Sequence, residues 1–461
     1  MNVGYLHRGR SPDASVFVVV DLLGVLAAFV GVVLLGVAVG MLTGLSPGLH
    51  VNNVAALLLA TRGVWAGFLG ILVPEIAADP AAIGTLLSSF LLATAAAHGV
   101  SSLIPSVFLG APTEDTALAT LPGHRLLLAG EGPRAVALAA RGATLGTLFA
   151  VLLLVPLRFV LSDPIELAAR FRPWSALFLL GLLGAILATE FRGRHRIRRG
   201  LRAAWVQGLA GLLGILTLRG TVPLDPSIVL FPLFSGLFGL PTLFISLRGN
   251  SGRIPAQRID SLRRLSWSDV RSALRGTAAG AAISWLPGLS GGAAATLASI
   301  GRRNRTGPGQ FMIVLGAVSA STGLLSAAVL FMIHRTRSGV AAGVKELAGD
   351  PAAWPGFGIP ATLVALVVST SLATALAAPM AARLAQRIAR RWSTWDPRKV
   401  SIVSIAVIEG LLFVVTGWPG VAVAAVASLV GLVPVALRVR RIHLMASLLV
   451  PVLLTYLAPA P

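Results

Sequence analysis

Apolar residues in this chain gather in long runs, and polar residues gather in the short gaps between them. The runs fall near 16–34, 81–104, 136–157, 175–190, 204–218, 226–247, 311–333, 358–381, 401–416, 418–437 and 442–458. Most approach the length of a helix that crosses a bilayer, about 20 residues. Alternating in–out strands are absent, which argues against a β-barrel. The pattern therefore predicts an all-α polytopic membrane protein with no soluble domain of useful size. The first run is too long for a cleaved signal and continues into the next feature.

One pattern occurs twice. Gly36, Ala38, Gly40, Pro47, Gly48 and Leu49 return without a gap as Gly276, Ala278, Gly280, Pro287, Gly288 and Leu289. An apolar segment leads into each Pro-Gly break and another follows it. Paired broken helices in two halves of a hydrophobic chain are the best sequence-level pointer to a transporter's binding site. Non-helical backbone at membrane depth is tolerated only where it is buried in protein or lines a watered cavity. A simple kink between packing helices is the alternative, and the duplication weighs against it.

The basic loops set a topology. Arg192–Arg202, Arg248–Arg275, Arg302–Arg305, Arg383–Lys399 and Arg438–Arg441 are the strongest, and all are placed in the cytoplasm. Pairs of spans connect these loops except at 276–300, which must then enter and leave on one side as a re-entrant hairpin. With Arg8 and Arg10 inside, span 16–34 runs outward and 36–61 dips in from the opposite face. The expectation is two inverted-topology repeats, 1–200 and 201–461, each with a re-entrant Pro-Gly motif, near 36–61 and 276–300. The outer loop 334–354 fits least well, because it carries Arg335, Arg337 and Lys345.

Composition narrows the function. The chain has 461 residues, 56% hydrophobic and 12% charged, with a mean hydropathy of +0.85. A soluble protein carries about a quarter charged residues. The net charge of +21 reads as the positive-inside signature and not as a nucleic-acid surface, because the arginines sit in loops between spans. Cysteine is absent, which excludes disulfides and thiolate chemistry. The only lysines, Lys345 and Lys399, lie in no P-loop pattern, which argues against ATP-driven transport by this chain alone. No metal-spaced histidine cluster or nucleophile elbow is present, so no enzyme and no resident cofactor or metal is expected. The expected location is the cell membrane, with a proton or sodium ion as the coupling ion.

The breaks hold the candidate chemistry. In the first, Ser46, His50, Asn52 and Asn53 surround Gly48; in the second, Ser290, Gly291 and Gly292 follow Gly288, and Ser290 occupies the place of His50. A half-helix that starts after each Pro-Gly would point its free N–H groups and positive dipole end at the cavity, an arrangement that favours an anion. Polar groups at membrane depth are expensive unless they line a cavity or meet partners. A third segment carries Glu114 and Asp115, then His124 and Arg125. These four are expected either to couple an ion or form a gate, or to be a solvated interfacial loop. His98 within its span is a candidate proton relay or a simple hydrogen-bond partner. Glu409 is the deep carboxylate of the second half, Glu75 is a weaker candidate, and Glu190 is expected to pair at the interface with Arg192.

With these motifs in hand, the sequence resembles the large membrane subunit of tripartite tricarboxylate transporters, and more narrowly the archaeal branch of that family. The resemblance rests on Pro47-Gly48-Leu49-His50-Val51-Asn52, Ile104-Pro105-Ser106, Gly110-Ala111-Pro112, the block from Glu114-Asp115 to Leu121-Pro122-Gly123-His124-Arg125, and Phe231-Pro232 through Gly239. It implies ion-coupled transport of carboxylates such as citrate. The implied partners are a small membrane subunit and an extracytoplasmic binding protein, besides the lipid bilayer and the organic anion; a homodimer is one expected state. Leu286-Pro287-Gly288-Leu289-Ser290-Gly291-Gly292 is also similar to a motif of polyprenyl-phosphate translocases. A lipid-phosphate translocase, or a scaffold that transports nothing, thus stands as the alternative.

Overall fold

The computed structural model describes residues 14–46, 51–108, 120–191, 195–220, 222–224, 228–248, 255–259, 264–286, 291, 294–295, 298, 307–336, 338–349, 354–392 and 397–457. Among them every regular element is a helix, and eight helices are long and apolar enough to cross a membrane. The chain is an all-α, multi-pass membrane protein.

The first long helix, α1 (Ala14–Leu45), is continuous through 35, where the sequence places a boundary between a span and the first motif. Nothing there can break it: 31–45 is an apolar, proline-free stretch, and Gly36, Gly40 and Gly44 are absorbed by close packing. The span 16–34 and the entry arm of the motif are therefore one element, not two of opposite direction. A short α2 (Val51–Ala60) and α3 (Arg62–Leu72) follow the break, and α4 (Pro80–Ser101) begins after an Asp79 cap. The Asp79 carboxylate accepts from the N–H groups of Ala81 and Ala82, which occupies donors that a helix start leaves open.

Glycine spacing joins α1 to α4. A Cβ on Gly36 would lie 2.6 Å from the Phe90 carbonyl oxygen, and one on Gly44 would lie 2.8 Å from that of His98. Gly40 between them meets Thr94, Ala97 and His98. Contact advances along both helices together, so α1 and α4 are parallel, with backbones close enough that only small residues fit.

The second half repeats this geometry. Helix α13 follows α5 (Leu103–Phe108), α6 (Thr120–Leu128), α7 (Gly132–Leu161), α8 (Leu167–Phe171), α9 (Ser175–Ala188), α10 (Arg196–Leu218), α11 (Leu230–Phe234) and α12 (Leu240–Arg248). It spans Trp267–Trp285 and packs on α14 (Pro308–Ile333). A Cβ on Gly276 would lie 2.6 Å from Val314 O, and Gly280 meets Val318, Ser321 and Thr322. This pair is also parallel.

The two helix pairs face in opposite directions. After α14 come α15 (Gly339–Ala348) and α16 (Ala361–Trp392). Leu347 at the end of α15 touches Gly84 at the start of α4. A few residues on, the Trp354 N–H donates to Phe331 O near the end of α14 at 3.1 Å. The start of α4 therefore lies at the end of the molecule where α14 finishes. Helix α7 packs along α14, α16 packs along α4, and α7 and α16 touch each other.

An ion pair anchors the base of α13. Arg141 of α7 donates to the Asp269 carboxylate at 2.7 Å, and Gln310 of α14 donates to it at 3.0 Å. Ser266 and Asp269 form a capping box at the helix start. Burial alone would raise the Asp269 carboxyl, but the hydrogen bonds from Gln310, Arg141 and Ser266 outweigh it and hold the group below the usual carboxylate range.

Helices α9–α12 join α17 (Pro397–Leu437) and α18 (Ala446–Leu457) in a lateral bundle with its own hydrophobic clusters. The separate runs 401–416 and 418–437 are the two arms of α17. They part at Gly417, whose φ of 60° lies in the left-handed region that glycine enters without strain. Arg398 at the start of the first arm donates to Leu247 O, and Arg441 just beyond the second donates to the Thr242 hydroxyl. The first arm thus begins, and the second ends, beside α12. Glu190 is buried and accepts from Arg199 at 3.1 Å and from the Arg440 N–H at 3.2 Å. These partners tie α9 to distant parts of the chain; Arg192, the partner expected from sequence, lies outside the described residues.

Candidate functional site

Helix α1 ends at Leu45, two residues before Pro47 in the sequence, a residue type that cannot continue a helix because it lacks an N–H. Ser46 closes that end: its N–H donates to Thr43 O at 3.2 Å and its hydroxyl donates to Leu42 O at 3.1 Å. One turn earlier, the Thr43 hydroxyl lies 3.1 Å from His98 Nδ1 and 3.2 Å from Gly40 O. A threonine hydroxyl has one proton, so donation to Gly40 O would make His98 Nδ1 the donor to Thr43. The Ser101 hydroxyl also donates to Gly40 O, at 3.1 Å. His98 is 5% exposed and Ser101 fully buried. The C-terminal end of α1 thus meets a cluster of polar groups from α4.

Helix α13 stops in the same manner. Leu286 has an extended backbone, as the residue before a proline prefers. The Ser284 hydroxyl donates back to Ala281 O at 2.8 Å. The Trp285 ring meets Phe171 edge-on, with centroids 5.3 Å apart. Met41 and Leu45 of the first entry arm share one buried cluster with Ile283 and Leu286 of the second.

Between the two helix pairs lies a cavity of about 50 Å³. Its lining pairs Leu92, Ala95, Ala96, Gly99 and Val100 of α4 with Gly316, Ser319, Ala320, Gly323 and Leu324 of α14. Each residue of the second set follows its counterpart by the offset that takes Leu92 to Gly316. Leu103 of α5, Ala143 of α7 and Thr370 of α16 complete the wall. At the same offset, Thr322 occupies the place of His98. Its hydroxyl is buried without a hydrogen-bond partner, and each of the two residues faces the glycine seam of its own broken helix.

Several expected site residues lie outside the described residues: Gly48, His50, Gly288, Ser290 and Gly292 at the breaks, and Glu114 and Asp115 in the third segment. Asn53 lies in α2, and its side chain is not described. Asn52 lies in the first turn of α2, half-buried, and a Cβ on Gly339 at the start of α15 would lie 2.7 Å from its amide carbon. An element of the second half therefore touches the start of α2, a contact that motif spacing does not reveal. Gly291 is buried. His124 and Arg125 are exposed on α6, at the arginine-rich end. Glu75 is exposed and Glu409 is half-buried in the lateral bundle, away from both breaks. Thr43, Ser101, Thr322 and Gly339 are the residues that sequence reasoning did not select. A gapped comparison of 92–100 with 316–324 carries the signal for Thr322.

Comparison with known proteins agrees with this architecture. The Tripartite tricarboxylate transporter TctA family matches residues 30–446. An uncharacterized protein of Methanocaldococcus jannaschii is 28% identical over 316 residues, covering 68% of this chain and 72% of its own length. No solved structure matches significantly.

Proposed function

The chain belongs to the tripartite tricarboxylate transporter TctA family, a family of membrane transport components, and on that premise we propose that it is an ion-coupled secondary transporter of a small organic anion. The substrate class is a di- or tricarboxylate such as citrate. The coupling ion is a proton or sodium, and a small membrane subunit and an extracytoplasmic binding protein act with it at the cell membrane. Gly48, His50, Asn52 and Asn53 from the first break and Gly288, Ser290, Gly291 and Gly292 from the second bind the anion, with Ser46 at the rim. The described part of α2 begins at Val51, just beyond the first Pro-Gly, and the open N–H groups at the start of such a half-helix would suit a carboxylate.

The observation that carries this reading is the matched pair of glycine seams. Gly36 and Gly40 fit α1 to α4 as Gly276 and Gly280 fit α13 to α14, and the two pairs run in opposite senses on either side of one small-residue cavity. Two inverted repeats would have this geometry, and they would exchange roles as the site opens first to one side and then to the other. Glu114, Asp115, His124 and Arg125 then serve coupling or gating from the cytoplasmic side. The test is uptake of labelled citrate into proteoliposomes, with this chain alone and with its partner subunits. Gradient-dependent uptake that is lost in both His50→Ala and Ser290→Ala is expected. Absence of gradient-dependent carboxylate uptake with partners present would overturn the proposal.

A further inference from the structure

A larger cavity lies inside the first hairpin, away from the polar groups at the break. It measures about 420 Å³ and sits between α1, α3 and α4, with Gly24, Gly31, Leu35, Trp65, Phe68 and Phe90 among its walls. Neither a charged nor a hydroxyl-bearing side chain lines it among the described residues. The slot exists because the return arm leans on α4 and does not pack along α1. Several wall residues are open to the outside: Leu35 is 45% exposed, Phe68 51% and Leu72 58%.

Water has no reason to fill this slot, since a buried water needs about two to four polar partners. An empty slot of this size would forfeit the packing of every wall residue, at roughly 24 cal/mol per Å³. The occupant must be apolar, and the surroundings of a multi-pass membrane helix supply one. We propose that the slot binds the hydrocarbon chain of a bilayer lipid, which enters between the arms of the first hairpin and packs against α4. The headgroup stays at the membrane surface, because the slot offers it no polar partner. The chain replaces the protein contacts that α3 does not make with α1. This assignment does not rest on the transported substrate.

Gly31 makes the proposal testable. A Cβ there meets nothing within 4 Å, so a larger side chain enters open space and fills the slot without displacing protein. The probe is a phosphatidylcholine with a diazirine within one acyl chain, in phosphatidylcholine vesicles holding the full chain. After illumination, label is expected on α1 and α3 around the slot. Gly31→Phe is expected to lose that label, whereas Gly181→Phe, at an open position of α9, keeps it. If Gly31→Phe fails to accumulate, Ala27→Phe at the exposed mouth gives the same readout. Label spread evenly over the lipid-facing helices, or label unchanged in the filled variants, overturns the proposal. Competition by a polyprenyl phosphate but not by unlabelled phosphatidylcholine overturns it as well, in favour of a dedicated isoprenoid.

Discussion

At the first break the polar contacts lie at the tip, where Thr43 meets His98 and Ser101 reaches Gly40 O. Among the described residues, the second broken segment has its ion pair at the base, where Arg141 and Gln310 hold Asp269, about 24 Å of helix away from Trp285. The seams are otherwise alike. One entry arm is therefore fixed by an ion pair far from its break, and the other by neutral or titratable groups beside it. Under the proposed function, α13 would belong to the frame and the end of α1 to the part that responds to substrate, ion or pH.

Breaking the ion pair is the largest test of that contrast. Asp269→Ala leaves Arg141, 17% exposed at its side chain, facing a vacated partner. Loss of one member of a buried pair costs roughly 3–5 kcal/mol, and partial exposure places this case at the low end. Thermal unfolding in detergent should show the loss, and Asp269→Asn should fall between. The pH dependence follows from the sign of the shift. The folded carboxyl is held below its unfolded value, so its stabilisation is full above about pH 3.9 and fades as pH falls through the lower folded value. Wild type should therefore lose stability on acidification below about pH 4, and Asp269→Asn should lack that component.

The seams give a smaller effect that sharpens the comparison. A Cβ on Gly40 meets the backbone carbonyl of Thr94 and the Ala97 methyl, whereas one on Gly280 first meets the Ser321 hydroxyl, which can rotate. Gly40→Ala should cost about 1–3 kcal/mol and lower uptake, and Gly280→Ala should cost less on both measures. Equal costs would show that the two seams carry the same strain.

His98 gives the smallest effect on stability and the most specific readout. Removing its bond to Thr43 by His98→Leu should cost about 1 kcal/mol. A relay role predicts that uptake loses its pH dependence between about pH 5 and 8 in both His98→Gln and His98→Leu. A packing role predicts that His98→Gln behaves as wild type.

Much of this fold was legible in the sequence because bilayer length and apolar runs are tightly coupled. The runs 136–157, 204–218 and 311–333 lie within α7, α10 and α14. The join of 16–34 to the first motif was not legible, since hydropathy marks apolar length and not where a continuous helix is partly covered by protein. At the site, the Pro-Gly repeat stood out because its two copies align without a gap. The matching seam on α4 and α14 sits at a different offset, because the connection from the first break to α4 is longer than that from the second break to α14. The contact of Gly339 with Asn52 depends on tertiary packing between the halves, which no local pattern encodes.

The central claim is that the two breaks face one anion site from opposite sides, and a chain without cysteine allows a direct test. Ser46→Cys and Ser290→Cys, made singly, are exposed to a membrane-impermeant thiol reagent from each side of sealed vesicles, with and without citrate. Each thiol is expected to be labelled from its own side, and the same anion is expected to protect both. Labelling of both from one side only, or protection of one and not the other, would contradict it.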